Sequence, residues 1–120
     1  MSTDKRKMAS RLLQLASQLI QPQLDPDTAG LMKIRATISK MLGSVKTAKN
    51  SRGRTVAFED HMLVIDEEMQ KQTKTREAIE LKGKLANIIM AYQTEKYRKA
   101  YRLADVVARH LDVMIARRRK

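Results

Sequence analysis

The chain has 120 residues, with 25 Lys and Arg against 13 Asp and Glu, a net charge of +12 and a pI near 10.3. It has no Cys or Trp, one Phe, three Tyr and eight Met. This excludes a disulfide framework, a thiol nucleophile and a cysteine metal site, and leaves a core of aliphatic and Met side chains. The charge calls for a polyanionic partner whose condensed counterions are released on binding, and no apolar run approaches the ~20 residues of a bilayer span.

The first predicted helix runs from about Asp4 to Gln21 behind a Ser2 or Thr3 cap. Met8, Leu12, Leu13, Ala16, Leu19 and Ile20 form one apolar stripe. Lys5, Arg6, Lys7 and Arg11 crowd its start, where they oppose the helix dipole, which points to a role other than folding.

Asp25-Pro26-Asp27 is a strong start signal for a second helix, because Asp caps, Pro suits the first helical position and a further acid favours the first turn. Leu31, Ile34, Ile38, Met41 and Leu42 mark its buried side, and Gly43 is placed to end it. The short connection between these two helices predicts an antiparallel hairpin. Residues 44–54 carry Lys46, Lys49, Arg52 and Arg54 with few apolar side chains, the pattern of a cationic loop.

A third helix is predicted from Thr55 to about Thr73, with Phe58, Met62, Ile65 and Met69 inward and Glu59, Asp60, Asp66, Glu67 and Glu68 outside that stripe. Residues 77–118 read as one long helix or two end to end, with Thr94 a candidate cap for the last piece. Tyr97, Ala100, Ala104, Val107, Leu111 and Met114 fall in alternating steps of three and four, a heptad seam; extended back it takes in Met90, Ala86 and Ile79 but also Gln93 and Gly83, so its first half is weaker. A continuous helix of this length would be roughly 65 Å long and would need a partner along it, so the seam predicts a coiled-coil homo-oligomer.

Charge is unevenly divided. Residues 1–54 hold eleven Lys/Arg and three Asp/Glu, residues 55–81 three and seven, and residues 82–120 eleven and three, so an acidic middle separates two basic parts.

Four features bear on chemistry. Ser51-Arg52-Gly53-Arg54 contains the Arg-Gly-Arg core of a minor-groove hook, in which Gly allows close backbone approach; the alternatives are a loop that contacts phosphates without specificity and a plain solvated loop. Tyr92, Tyr97 and Tyr101 interleave with Lys96, Arg98, Lys99 and Arg102, a pattern that serves base stacking or, at helical spacing, packing at the edge of the seam. Arg117, Arg118, Arg119 and Lys120 suit either the negative end of a helix dipole or a phosphate chain. The acidic block around His61 has no metal-ligand spacing, and His110 is distant in sequence. No phosphate-cradling glycine loop, nucleophile elbow or acid and base pair occurs, so the reading is not an enzyme, with no cofactor and no metal. Nor is there a helix-turn-helix, zinc-finger or basic-zipper signature.

The sequence thus predicts a single all-α domain over 1–120, of four or five helices, with a helical hairpin and a long C-terminal helix that mediates self-association. The expected function is non-enzymatic nucleic-acid binding through phosphates, in an architectural, packaging or mobile-element accessory role, with DNA favoured over RNA. The expected location is the cytoplasm or nucleoid, with no membrane. The contacts would come from Lys5, Arg6, Lys7, Arg11, Lys46, Lys49, Arg52, Arg54, Arg98, Arg102, Arg117, Arg118, Arg119 and Lys120. The alternative is an adaptor, inhibitor or virion subunit whose basic surface meets an acidic protein. A membrane-surface role for the first helix ranks third, since interfacial helices favour the Trp and Phe that the chain lacks or nearly lacks.

Overall fold

The structure, a computed structural model, describes residues 25–119. The predicted first helix, its hairpin with the second, and the cations Lys5, Arg6, Lys7, Arg11 and Lys120 lie outside them. The described residues are all helical apart from short links: α1 (Pro26–Thr47), α2 (Ser51–Gln70), α3 (Arg76–Gln93) and α4 (Tyr97–Arg118). None of these helices is long and apolar enough to cross a membrane.

The helices run alternately up and down. Three contacts fix that order: Asp27 Oδ1 at the start of α1 accepts from Thr73 N just after α2, at 3.0 Å. Thr55 near the start of α2 meets the Tyr92 hydroxyl at the end of α3, at 2.8 Å. Glu77 at the start of α3 pairs with Arg118 at the end of α4, at 3.3 Å. Close main-chain approaches join α1 to α2, α3 to α4, and α1 to α4. Facing α2 and α3 come together mainly through side chains, leaving a crevice floored by Met62, Ile65, Met69, Leu85 and Ile89.

Each helix contributes the stripe its periodicity demands. Leu31, Ile34, Ile38 and Met41 of α1 meet Phe58, Met62, Ile65 and Met69 of α2 in one core with Leu81, Leu85 and Ile88 of α3 and Leu111 of α4. Burying a Leu or Ile side chain fully contributes about 1.5–3 kcal/mol, so this cluster outweighs any single propensity term. That explains why α1 does not stop at Gly43. A mid-helix glycine costs about 1 kcal/mol relative to alanine. Continuing the helix by one turn puts Val45, 5 % exposed, into the core. Gly30 has a different reason: a Cβ there would collide with the Gln72 side chain, whose Nε2 donates to Asp27 O at 3.0 Å and ties α1 to the end of α2.

The expected loop over 44–54 is corrected. Residues 44–47 belong to α1, and only Ala48, Lys49 and Asn50 link it to α2. Asn50 caps α2 by accepting from Gly53 N at 2.8 Å, so Arg52-Gly53-Arg54 is helical instead of a free hook.

The long C-terminal helix is corrected as well. Of the two readings it is the two-helix one, but the helices fold back on each other at Thr94–Lys96 instead of running end to end. Thr94 closes α3 instead of opening α4, its Oγ1 donating to Met90 O at 3.0 Å and Ala91 O at 3.1 Å. Lys96 N donates to Ala91 O at 2.9 Å and Glu95 N to Tyr92 O at 3.0 Å. This pair of bonds is a Schellman ending, with Glu95 in the left-handed region at φ 64°.

The reversal alters the meaning of the seam. Ala100, Ala104, Val107, Leu111 and Met114 are at most 3 % exposed, and what covers them is the rest of this chain. Only Tyr97, at 43 % exposed, stays open. The backward extension fails because the turn resets the helical phase. Ile79, Ala86 and Met90 face outward, and Leu81, Leu85, Ile88 and Tyr92 take the inner positions.

Candidate nucleic-acid interface

The end of the bundle where α1 finishes and α2 starts is also the end where α3 turns into α4. Two stretches 40 residues or more apart in sequence therefore share one end. Residues 44–54 bring Lys46, Lys49, Arg52 and Arg54; residues 95–102 bring Lys96, Arg98, Lys99 and Arg102. Glu95 is the one acid in these two stretches. Thr55, next to the half-buried Arg54, bonds the Tyr92 hydroxyl at 2.8 Å, and Tyr92 in turn meets Tyr97, which links the two stretches across the bundle end. None of the eight cations forms an ion pair among the described residues.

An aromatic cluster supports this end. Phe58 and Tyr92 stack with ring centroids 3.9 Å apart and planes within 5°. Tyr97 meets Tyr92 edge-on at 4.8 Å and 64°, and Tyr101 lies 6.3 Å from Tyr92. These four are all the aromatic residues of the chain. Tyr92 is held by its bond to Thr55, and Tyr101 is pushed above the ordinary phenol range by burial and by Tyr92 beside it, so it stays neutral.

Where the charges sit relative to the helix dipoles separates the two bundle ends. At the far end, α1 and α3 each begin with an acid in the first turn, Asp27 and Glu77. At the cationic end, α2 and α4 have no acid in the first turn. Arg52 stands there in α2, and Arg98 and Lys99 in α4. A cation at a helix start costs about 0.3–1 kcal/mol against the dipole, the amount an acid there would gain. α4 also begins at Lys96 without a side-chain cap. Folding thus gains nothing from these cations where they stand.

Other sequence-predicted contacts do not join this surface. Arg117, Arg118 and Arg119 lie at the opposite end, separated from Arg98 by nearly the full length of α4, roughly 30 Å. Arg118 is engaged there by Glu77 and lies near Asp25 and Asp27. Lys33 and Lys71, also toward that end, both grip the buried carboxylate of Glu68, at 3.0 and 3.3 Å. His61 bonds its own helix through Ala57 O at 2.6 Å, and the described residues hold no group of three acid or His side chains able to share a metal.

Two cations of the cluster, Lys96 and Lys99, were not among the contacts expected from sequence. The signal that would have placed them is the turn at Thr94–Lys96, since recognising a chain reversal there puts residues 95–102 beside the start of α2. Compared with known families, curated proteins and solved structures, the chain finds no match.

Proposed function

We propose that this is a non-enzymatic protein that binds nucleic acid mainly through its phosphates, using the bundle end formed by the α1–α2 link and the α3–α4 turn. The observation that carries this reading is the convergence of eight cations, none ion-paired among the described residues, three of them in helix first turns where they oppose folding. An isolated surface cation needs no explanation, but eight sharing one end, in two stretches that hold a single acid, make a field that a phosphate backbone complements. Such binding is tolerant of sequence, as an architectural, packaging or mobile-element accessory role requires, and gives no ground for a reaction. The described helix Arg52–Arg54 supports phosphate contact over groove insertion, because a helical start presents charges along a surface and not as a flexible hook.

A mobility-shift titration with duplex and single-stranded DNA and RNA at two salt concentrations tests this. The expected result is binding that weakens steeply with salt, the slope of log K on log salt being about −0.9 per phosphate neutralised on duplex DNA. Replacing Arg52, Arg98 and Lys99 together by Ser is expected to flatten that slope by about 3. No complex at low salt overturns the reading.

A protein-binding role is the second reading, favoured by the open crevice between α2 and α3. Its apolar floor and the exposed Ile79 beside it, 65 % accessible, offer a place for a partner's apolar side chains. A pull-down that survives high salt distinguishes it, since apolar contact does not weaken as phosphate contact does.

A further inference from the structure

The proposed phosphate surface leaves one feature unused. Tyr97 opens α4, with Lys96, Arg98 and Lys99 as its chain neighbours. The residue is 43 % exposed, whereas Tyr92, against which it rests, is 8 % exposed. The ring's orientation is set from behind: Tyr92 is fixed by stacking on Phe58 and by the bond to Thr55, and Tyr97 stands edge-on to it. A core residue of that size would turn its ring inward, and a loop aromatic would be free to swing. Tyr97 is partly exposed and braced on Tyr92, beside three cations in the chain.

A duplex has no use for such a ring, because its bases are already stacked on one another. Unpaired bases do have a use for it. Stacking on an aromatic ring beside phosphate-binding cations is how single strands are held without sequence preference. Resting on the phosphate-binding reading above, we infer that the ligand of this bundle end is single-stranded nucleic acid, one base stacking on Tyr97 while Lys96, Arg98 and Lys99 hold the flanking phosphates. Tyr101, half-buried behind Tyr92, and Phe58, buried, support the platform without reaching the base.

The test uses the whole chain and fluorescence anisotropy of three labelled probes: a single strand, the duplex of the same sequence, and an abasic strand that keeps the phosphates and lacks the bases. Tyr97→Ala is expected to weaken single-strand binding roughly 5- to 150-fold, with Tyr97→Phe within about twofold of the parent. Abasic and duplex binding are expected to change by less than about twofold, and the salt slope to stay the same. Tyr97→Leu keeps apolar bulk against Tyr92 but has no π face, so a loss matching that of Tyr97→Ala in a chain of unchanged melting temperature assigns the effect to stacking. If the parent binds all three probes with a steep salt slope and Tyr97→Ala leaves the single strand unaffected, the stacking inference is wrong and the phosphate reading stands. Equal losses on the abasic strand also overturn the stacking inference. If the parent binds none of the probes at low salt, both readings fall.

Discussion

Arg35 of α1 grips Asp112 of α4 with two nitrogens, Nε to Oδ1 at 2.8 Å and Nη2 to Oδ2 at 3.3 Å, while its Nη1 is held by Ser39 one turn along. This is the forked geometry in which guanidinium and carboxylate match best, and it ties the first hairpin to the second across the α1–α4 contact. Both side chains are partly solvated, at 31 % and 55 % exposed, which limits what the pair contributes. A double-mutant cycle with Arg35→Ala and Asp112→Ala is expected to give a coupling of about 0.5–1 kcal/mol by denaturant unfolding, falling as salt rises.

Glu95 holds a left-handed backbone at the C′ position of α3, where glycine is preferred because any Cβ is crowded. Its side chain is exposed. Glu95→Gly is therefore expected to raise stability by up to about 1 kcal/mol, the relieved strain being partly offset by the greater freedom of glycine in the unfolded chain. The same change removes the one acid within the two cationic stretches, so anisotropy titration of a nucleic-acid probe is expected to show tighter binding. A gain in both stability and affinity from one substitution would be unusual for a surface position and is a direct check on the charge argument.

The far end of the bundle depends on ionised acids. Asp25 is held below the usual carboxylate range chiefly by the backbone N–H of Thr28, at 2.7 Å. Asp27 is held down chiefly by Thr73 N, at 3.0 Å, and Glu68 chiefly by Lys33, at 3.0 Å. A carboxylate whose folded pKa lies below its unfolded value stabilises the fold above the unfolded value, near 4, and that contribution is lost as pH falls through the folded value. Thermal unfolding is expected to show no loss from these groups between pH 7 and about 5 and a progressive loss below about 4. Asp27→Asn keeps an oxygen for Thr73 but has no charge to protonate, so its melting temperature is expected to fall less across the acid range than that of the parent chain.

Leu111 decides between the seam as read from sequence and the seam as folded. It is fully buried, against helices of its own chain. Leu111→Ala is expected to cost about 2–5 kcal/mol, as deletion of a well-packed core side chain does. Because the contacts are intramolecular, that loss is expected to be the same at any protein concentration. A loss that shrinks as the chain is concentrated would indicate a second copy covering this face.

The inward stripes of α1 and α2 were legible in the sequence because each runs uninterrupted at helical spacing, and Ile34, Ile38, Phe58 and Ile65 are all buried as that spacing demands. The last five seam positions were equally legible as buried. What periodicity did not reveal was the identity of the partner, since one heptad pattern serves a coiled coil and a bundle alike. A break near Thr94 was legible as one of two readings, but the reversal there was hidden because a glutamate, and not glycine, occupies the left-handed position of the turn. The start of α2 was hidden by cations where a first turn ordinarily carries acids. Both misreadings fall on the cationic end, where the sequence obeys folding preferences least.

That departure gives the most discriminating prediction. If Arg52 in α2 and Arg98 in α4 served the fold, replacing them with acids would destabilise it. Both are exposed, and neither makes an ion pair among the described residues. Each sits in a first turn, where the unpaired N–H groups favour a negative side chain. Arg52→Glu and Arg98→Glu are therefore each expected to raise unfolding free energy by about 0.3–1 kcal/mol, read by denaturant titration. The same substitutions are expected to weaken phosphate binding, because each reverses a charge within the surface that attracts the backbone. The two readouts move in opposite directions only for residues kept for a ligand at the expense of the helix. Arg117→Glu at the far end serves as the control: it places an acid in the last turn of α4, against the dipole, and is expected to lower stability while leaving affinity for a short probe nearly unchanged. Loss of stability at Arg52 and Arg98 without loss of binding would reverse the assignment of the cationic end.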